Sequence, residues 1–242
     1  GALNRVRNVL PDLAAVVEDK VAGWDLAGVV DKRRLHDIRK TRKSEHFMTH
    51  CAHSAARGFR HFGFEVDSPY RWEGESVADR QMSLLQKVAV IGPFGAEPAM
   101  LEALEGGATD QADYLTDVLF AALLDSYRKT GIRRAVSEMV LEREPWFAYL
   151  GLNLLNLDDP WTFQSSSNAA KYQTDEFRRE MNIISVKTAY LLAILRPHSF
   201  TYGLLDYVRE RAVIESTGFV SGVYSATGQP TAGYLDLNTN GI

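Results

Sequence analysis

The segment from Ile183 to Leu195, IISVKTAYLLAIL, constrains this chain more than any other. It is apolar on nearly every side of a helix, and such a helix has to be wrapped by the rest of the fold. Phe177, Met181, Ile184, Thr188, Leu191 and Leu195 keep one phase, which extends the helix back to Asp175, and Pro197 closes it. Lys187 sits inside this interior run. A lone ammonium in such a place must be paired or must reach polar surroundings.

The rest of the chain supplies the wrapping. Pro11 and Asp12 open a first helix that stops near Gly23, and Ser44 caps another that runs to about Gly63. The second carries Phe47, Cys51, Ala55, Phe59 and Phe62 on its apolar stripe. His46, His50 and His53 share its other face, and Arg57 continues their row, so they read as a solvent-facing stripe and no metal site is expected. Val88 to Ile91 reads as one strand or one buried turn. A short helix opens at Glu97-Pro98 and stops at Gly106-Gly107. Thr109 caps a longer helix that Gly131 ends. Leu150 to Gln173 reads as a loop-rich excursion, Tyr202 to about Ala212 as an amphipathic helix, and Gly218 to Ile242 as extended, hairpin-like chain. With 242 residues and 45% hydrophobic content, a single domain over residues 1–242 is expected, residues 1–43 forming its helical N-terminal part.

Between the apolar helices lies GIRRAVSEMVLEREPWFAY, Gly131 to Tyr149, with neither clean helical nor clean strand periodicity. It sets Glu138 a few residues ahead of Pro145, Trp146, Phe147 and Tyr149. Aromatic faces cover the C–H faces of sugars, and a partly desolvated carboxyl can exchange a proton, so this grouping suits a carbohydrate site. The plainer reading makes Glu138 a surface acid and the aromatics core.

A net charge of −4 gives no global reason to expect nucleic acid or an anionic membrane as partner. The basic cluster Lys32, Arg33, Arg34, Arg39, Lys40, Arg42 and Lys43 could hold an anionic partner, but no aromatics interleave it. Cys51 is the one cysteine, so no internal disulfide forms. No apolar run is long enough to span a bilayer. Residues 1–24 do not read as a signal peptide, because Asp12, Glu18 and Asp19 interrupt their apolar part. No nucleotide, haem, iron–sulfur or pyridoxal motif is present, and no cofactor is expected.

Four separated pieces resemble a bacterial family, the domain of unknown function numbered 3131. They are SAARGFRHFGFEV from Ser54; Ala96-Glu97-Pro98-Ala99-Met100-Leu101; Thr130-Gly131 with Ala135 to Glu138 and Pro145 to Tyr149; and Ile184 to Tyr190 followed by Gly218-Phe219, Gly222 to Tyr224 and Asn238 to Gly241. They occur in the family's order, over roughly residues 50–242, and resemble the later half of the family domain. The resemblance implies a mainly α fold, a partial or complete (α/α) toroid of helical hairpins related to glucoamylase-like hydrolases, with a short extended C-terminal segment. It also implies a periplasmic or exported setting, and self-association through an unclosed toroid edge.

On that basis the expected function is action on, or binding of, a bacterial polysaccharide, glycoside hydrolase-like or lyase-like, by paired carboxylates and aromatic stacking. Glu97 and Glu138 are the candidate catalytic pair, one of them with a pKa raised by Trp146 and Phe147. Trp146, Tyr149, Trp161, Tyr224, Asn238 and Asn240 are expected to contact substrate. Lys187 would hold an anionic sugar substituent or pair with a glutamate. The alternatives are a non-catalytic glycan-binding or scaffold protein, and a binder of an anionic partner through residues 32–43.

Overall fold

The computed structural model describes residues 53, 56–57, 70, 72–91, 93–156, 158–164, 170–215, 217–231 and 237–242. Among these the protein is mainly α-helical, with short antiparallel strand pairs. The helix expected from Pro11, the basic cluster, Cys51, His46 and His50 lie outside the described residues. The chain divides into two compact units, residues 1–92 with 101–114, and residues 93–100 with 115–242.

The first unit contains α1 (Val77–Ile91), α2 (Glu102–Gly106) and the opening of α3 (Asp110–Thr130). Val88 to Ile91, open between strand and buried turn in the sequence, is the last turn of α1. Thr109 caps α3 as its sequence predicts, its hydroxyl accepting from the Ala112 N–H at 3.1 Å. Gly131 ends α3 at φ +70°, the left-handed conformation that glycine adopts without steric cost. His53 does not belong to a solvent-facing stripe. It is fully buried, hydrogen-bonds the Glu102 carboxylate and packs against the Tyr70 ring, while Arg57 reaches the same carboxylate at 2.8 Å. Buried charge has to be paired, and Glu102 turns this histidine–arginine row inward. Among the described residues, no group of three or more His, Cys, Asp or Glu could hold a metal ion.

In the second unit, a π-helical turn (Glu97–Leu101) precedes β1 (Glu138–Val140), β2 (Phe147–Leu152) and β3 (Trp161–Gln164), which form one antiparallel sheet in the order β1-β2-β3. There follow α4 (Asp175–Glu180), β4 (Ile183–Ser185), α5 (Val186–Leu195), α6 (Ser199–Arg211), β5 (Val213–Ile214), β6 (Gly218–Phe219), β7 (Gly222–Tyr224) and α7 (Leu237–Gly241). The stretch around Glu138, without clear period in the sequence, is therefore a hairpin. It pairs Glu138 with Tyr149, Met139 with Ala148 and Val140 with Phe147. Part of the expected loop after Leu150 is strand as well.

The single helix expected from Asp175 to Leu195 is two helices with a strand between them. Met181 and Asn182 end α4, and Ile183-Ile184-Ser185 pairs with Gly222 to Tyr224. Two β-branched residues in succession favour that pairing over helix. Ser185 then caps α5, its hydroxyl accepting from the Thr188 N–H at 3.4 Å. The interior reading holds for the remainder: Ile184 and Leu191 are buried, as is most of α5, with Ile194 its exposed exception. The tail is extended only in part, since it closes with α7.

Gly222 locks this arrangement. A Cβ there would stand 2.6 Å from Ile183 Cγ2 and 2.7 Å from the Ile184 carbonyl oxygen. The carbonyl belongs to the paired strand and cannot step aside without breaking the register. Gly222→Ala is expected to destabilise the protein by about 1–3 kcal/mol, an overpacking cost. Urea unfolding followed by circular dichroism measures this, and an unchanged midpoint would refute it.

Candidate functional site

The anomaly read in the sequence, a lysine inside an interior helix, is where the site is built. Lys187 is the second residue of α5, and its side chain is 2% exposed. A cation there lies at the positive end of the helix dipole and out of water, so two separate terms disfavour it. Its Nζ lies 2.9 Å from Glu97 Oε1 and 3.8 Å from Glu138 Oε1. Two carboxylates from distant parts of the chain thus meet on one ammonium.

The backbone fixes this meeting. The Ser185 N–H donates to the Ala135 carbonyl at 2.9 Å, and the Thr188 hydroxyl donates to the Val136 carbonyl at 3.1 Å. These bonds stitch the first turn of α5 along residues 135–136, so Lys187 faces Ser137 and Glu138. From the other side, the Phe94 and Leu152 backbones exchange a pair of hydrogen bonds at 2.8 Å. That bridge brings the π-helical turn, with Glu97 in it, against the β1–β2 hairpin.

Glu97 is held closely. Its Oε1 accepts from the Ser137 hydroxyl, the Glu138 N–H at 3.3 Å and Lys187, whereas the Tyr149 hydroxyl reaches Oε2 at 3.4 Å. Gly95 leaves room beside that second oxygen, since a Cβ there would lie 3.0 Å from Oε2 and 3.3 Å from the Tyr149 hydroxyl. The Glu97 and Glu138 side chains are 16% and 21% exposed, so both retain access to solvent. Two oxygens that each reach one nitrogen, at 2.9 and 3.8 Å, cannot lie further apart than the sum of those distances. This excludes the wide end of the roughly 6.5–9.5 Å separation used by inverting glycosidases and allows the ~5–5.5 Å of retaining ones.

The expected aromatic support is arranged differently. Trp146 is 61% exposed in the hairpin turn, at φ +67°, and its carbonyl accepts from the Leu141 N–H. With Val140 opposite Phe147, Trp146 stands about 10 Å along the strands from the Glu138–Tyr149 pair, at roughly 3.3 Å per residue. Its backbone therefore lies at the turn end of the hairpin and not beside the Glu138–Tyr149 pair. Phe147 does share a face with Glu138 and Tyr149, because residues two apart in a strand point the same way. On that face Phe147 is 41% and Val140 45% exposed, so the carboxylates border an uncovered apolar strip.

The remaining candidates lie elsewhere. Trp161 stacks under the Arg134 guanidinium, 5.5 Å from the ring centroid, and lines a separate cavity. Tyr224 is buried, and its hydroxyl donates to Glu142 at 2.7 Å while Arg143 lies over its ring. Burial, helped by the Glu142 hydrogen bond, pushes the Tyr224 phenol well above its ordinary pKa. The Asn240 amide both donates to and accepts from the Phe219 backbone at 2.7 Å, tying α7 to β6. The side chain of Asn238 lies outside the described residues. Asp175 pairs with Arg178 at the start of α4.

Sequence reasoning overlooked two parts of the cluster, the Ser137 hydroxyl and the gap at Gly95. A serine directly before a candidate acid was a signal available for the first. For the second there was none, because the gap depends on how the π-helical turn meets Tyr149.

A family described as "Protein of unknown function (DUF3131)" matches this chain over residues 1–242, so the likeness is not confined to the later half of the family domain. No curated protein and no solved structure matches it.

Proposed function

The chain belongs to the DUF3131 family, and from the geometry of its carboxylate cluster we propose a carbohydrate-active protein that binds a polysaccharide and acts on it by glycoside hydrolase-like chemistry. One observation carries the reading. Glu97 and Glu138, 41 residues apart in sequence, converge with Tyr149 beside the exposed apolar strip of Phe147 and Val140. A glycan lying along Phe147 and Tyr149 would present its linkage to Glu138. Glu97, anchored by several donors, would serve as the fixed anionic partner, its Oε2 facing the space that Gly95 leaves.

Lys187 offsets one of the two negative charges and holds the carboxylates in register, which favours the glutamate-pairing alternative of its two expected roles. Exposed Trp146, at the end of the same hairpin, would extend the stacking surface. The toroid belongs to the same proposal, and the consecutive helices α5 and α6, packed together and joined by residues 196–198, are in keeping with it. Self-association through an unclosed edge was argued from a match to half a domain, and it loses that premise.

A second reading, glycan binding without turnover, has its own support. Three donors on one Glu97 oxygen also describe a structural ion-pair cluster. Incubating the protein with a panel of neutral and acidic bacterial polysaccharides, and assaying both new reducing ends and retardation in affinity gels, separates the two. New reducing ends are the expected result. Retardation alone would hand the case to the binding reading, and neither effect across the panel would overturn both.

A further inference from the structure

A cavity of about 230 Å³ lies at the β3 edge of the sheet. Leu150 and Phe163 form part of its lining, and they pair across β2 and β3 on the face opposite Glu138 and Tyr149. It is therefore a different site from the carboxylate cluster, and nothing said of Glu97 or Glu138 accounts for it.

Its charges do not balance. Among the described residues that line it, Arg134, Arg178 and Arg179 stand with Asp159 and Asp175, which leaves one positive charge unmatched. Arg178 takes up both acids, at 2.8 Å from Asp175 and in contact with Asp159. Arg179 makes no ion pair among the described residues. Arg134 is fixed in place: one terminal nitrogen donates to Asn182 Oδ1 at 3.0 Å, and the Asn182 amide is itself held by the Arg133 carbonyl at 3.1 Å. The Arg134 Nε is buried with no hydrogen-bond partner among the described residues. Such an orphaned donor costs free energy that a bound acceptor would recover. Burial also holds the Arg134 guanidinium below its ordinary pKa, and the charge of Asp159 offsets this only in part.

We propose that this cavity binds a small carboxylate-bearing sugar unit, of the uronic-acid class, with its carboxylate on Arg134 and Arg179 and its ring against Trp161. A guanidinium matches a planar carboxylate in shape as well as charge. One unmatched positive charge suits a monoanion better than a phosphate dianion. The volume falls below the roughly 300–1,000 Å³ of pockets for drug-sized ligands, so the occupant is a single unit rather than an oligomer. The assignment to sugars rests on the proposed function, whereas the assignment to an anion rests on the cavity alone.

Calorimetry with glucuronate, glucose and inorganic phosphate tests this. Glucuronate should bind, glucose should not, and phosphate should bind more weakly than glucuronate. Arg179→Gln, at an exposed position, should weaken glucuronate about tenfold or more, the effect of losing a charged hydrogen bond. Arg134→Gln should do the same, with its melting temperature checked because the side chain is partly buried. Absence of glucuronate binding at millimolar concentration, glucose binding equally well, phosphate binding better, or an Arg179→Gln variant with wild-type affinity would each overturn the proposal. A failure of the carbohydrate reading shows separately, as no effect on any polysaccharide while glucuronate still binds.

Discussion

Glu138→Gln is expected to lower polysaccharide turnover about 10²–10⁴-fold, the usual contribution of a positioned acid–base side chain. The substitution keeps the shape of the side chain and removes only its ability to carry charge and exchange a proton. Glu97 still holds Lys187 at 2.9 Å, so the cluster should stay assembled and glycan retardation should remain near the wild-type level. Phe147→Ala is the complement, removing an exposed aromatic face from the same strand and weakening retardation more than the chemical step. Steady-state rates and affinity gels on the same preparations separate these effects. A Glu138→Gln enzyme that turns over at the wild-type rate would remove Glu138 from the chemistry. So would an equal loss of retardation and turnover, because that pattern reports damage to the fold rather than a lost catalytic group.

How much of the fold could be read from the sequence depends on the range of the interactions involved. The ends of α3 were legible because Thr109 and Gly131 act within one turn of themselves. The burial of α5 was legible because all-round apolarity needs no knowledge of a partner. Lys187 was legible as an anomaly that had to be paired or reach polar surroundings, and the structure sets two carboxylates beside it. The division of the supposed long helix was not, because Ile183 to Ser185 becomes strand only by pairing with Gly222 to Tyr224, far along the chain. Its local traces were two successive isoleucines and a serine able to cap α5. The β1–β2 hairpin was hidden for a similar reason. Three residues of β1 are too few to display an alternation, although Met139 buried between partly exposed Glu138 and exposed Val140 is that pattern. His53 reversed its expected environment because Glu102, invisible as a partner in the sequence, draws it inward.

The other large effect is on stability. Lys187→Met should destabilise the protein by about 3 kcal/mol, the lower part of the range for breaking a buried ion pair by removing one partner. The lower part is appropriate because both carboxylates keep some contact with water, which screens the repulsion left behind. For a chain of this size that corresponds to a fall in melting temperature of roughly 2–4 °C per kcal/mol. Methionine retains most of the length of the lysine stem, so loss of charge rather than a cavity should dominate. Adding Glu97→Gln to Lys187→Met should then restore part of the loss, because the second change removes one of the two charges left facing each other. The coupling between the two substitutions is expected to be about 0.5–3 kcal/mol, in the sense that the pair costs less than the two singles together. Urea unfolding of the wild type, both single variants and the double variant measures it. Strict additivity, or a Lys187→Met protein as stable as the wild type, would show that the ammonium is a bystander and that the hydroxyls of Ser137 and Tyr149, with the Glu138 N–H, hold Glu97 in place.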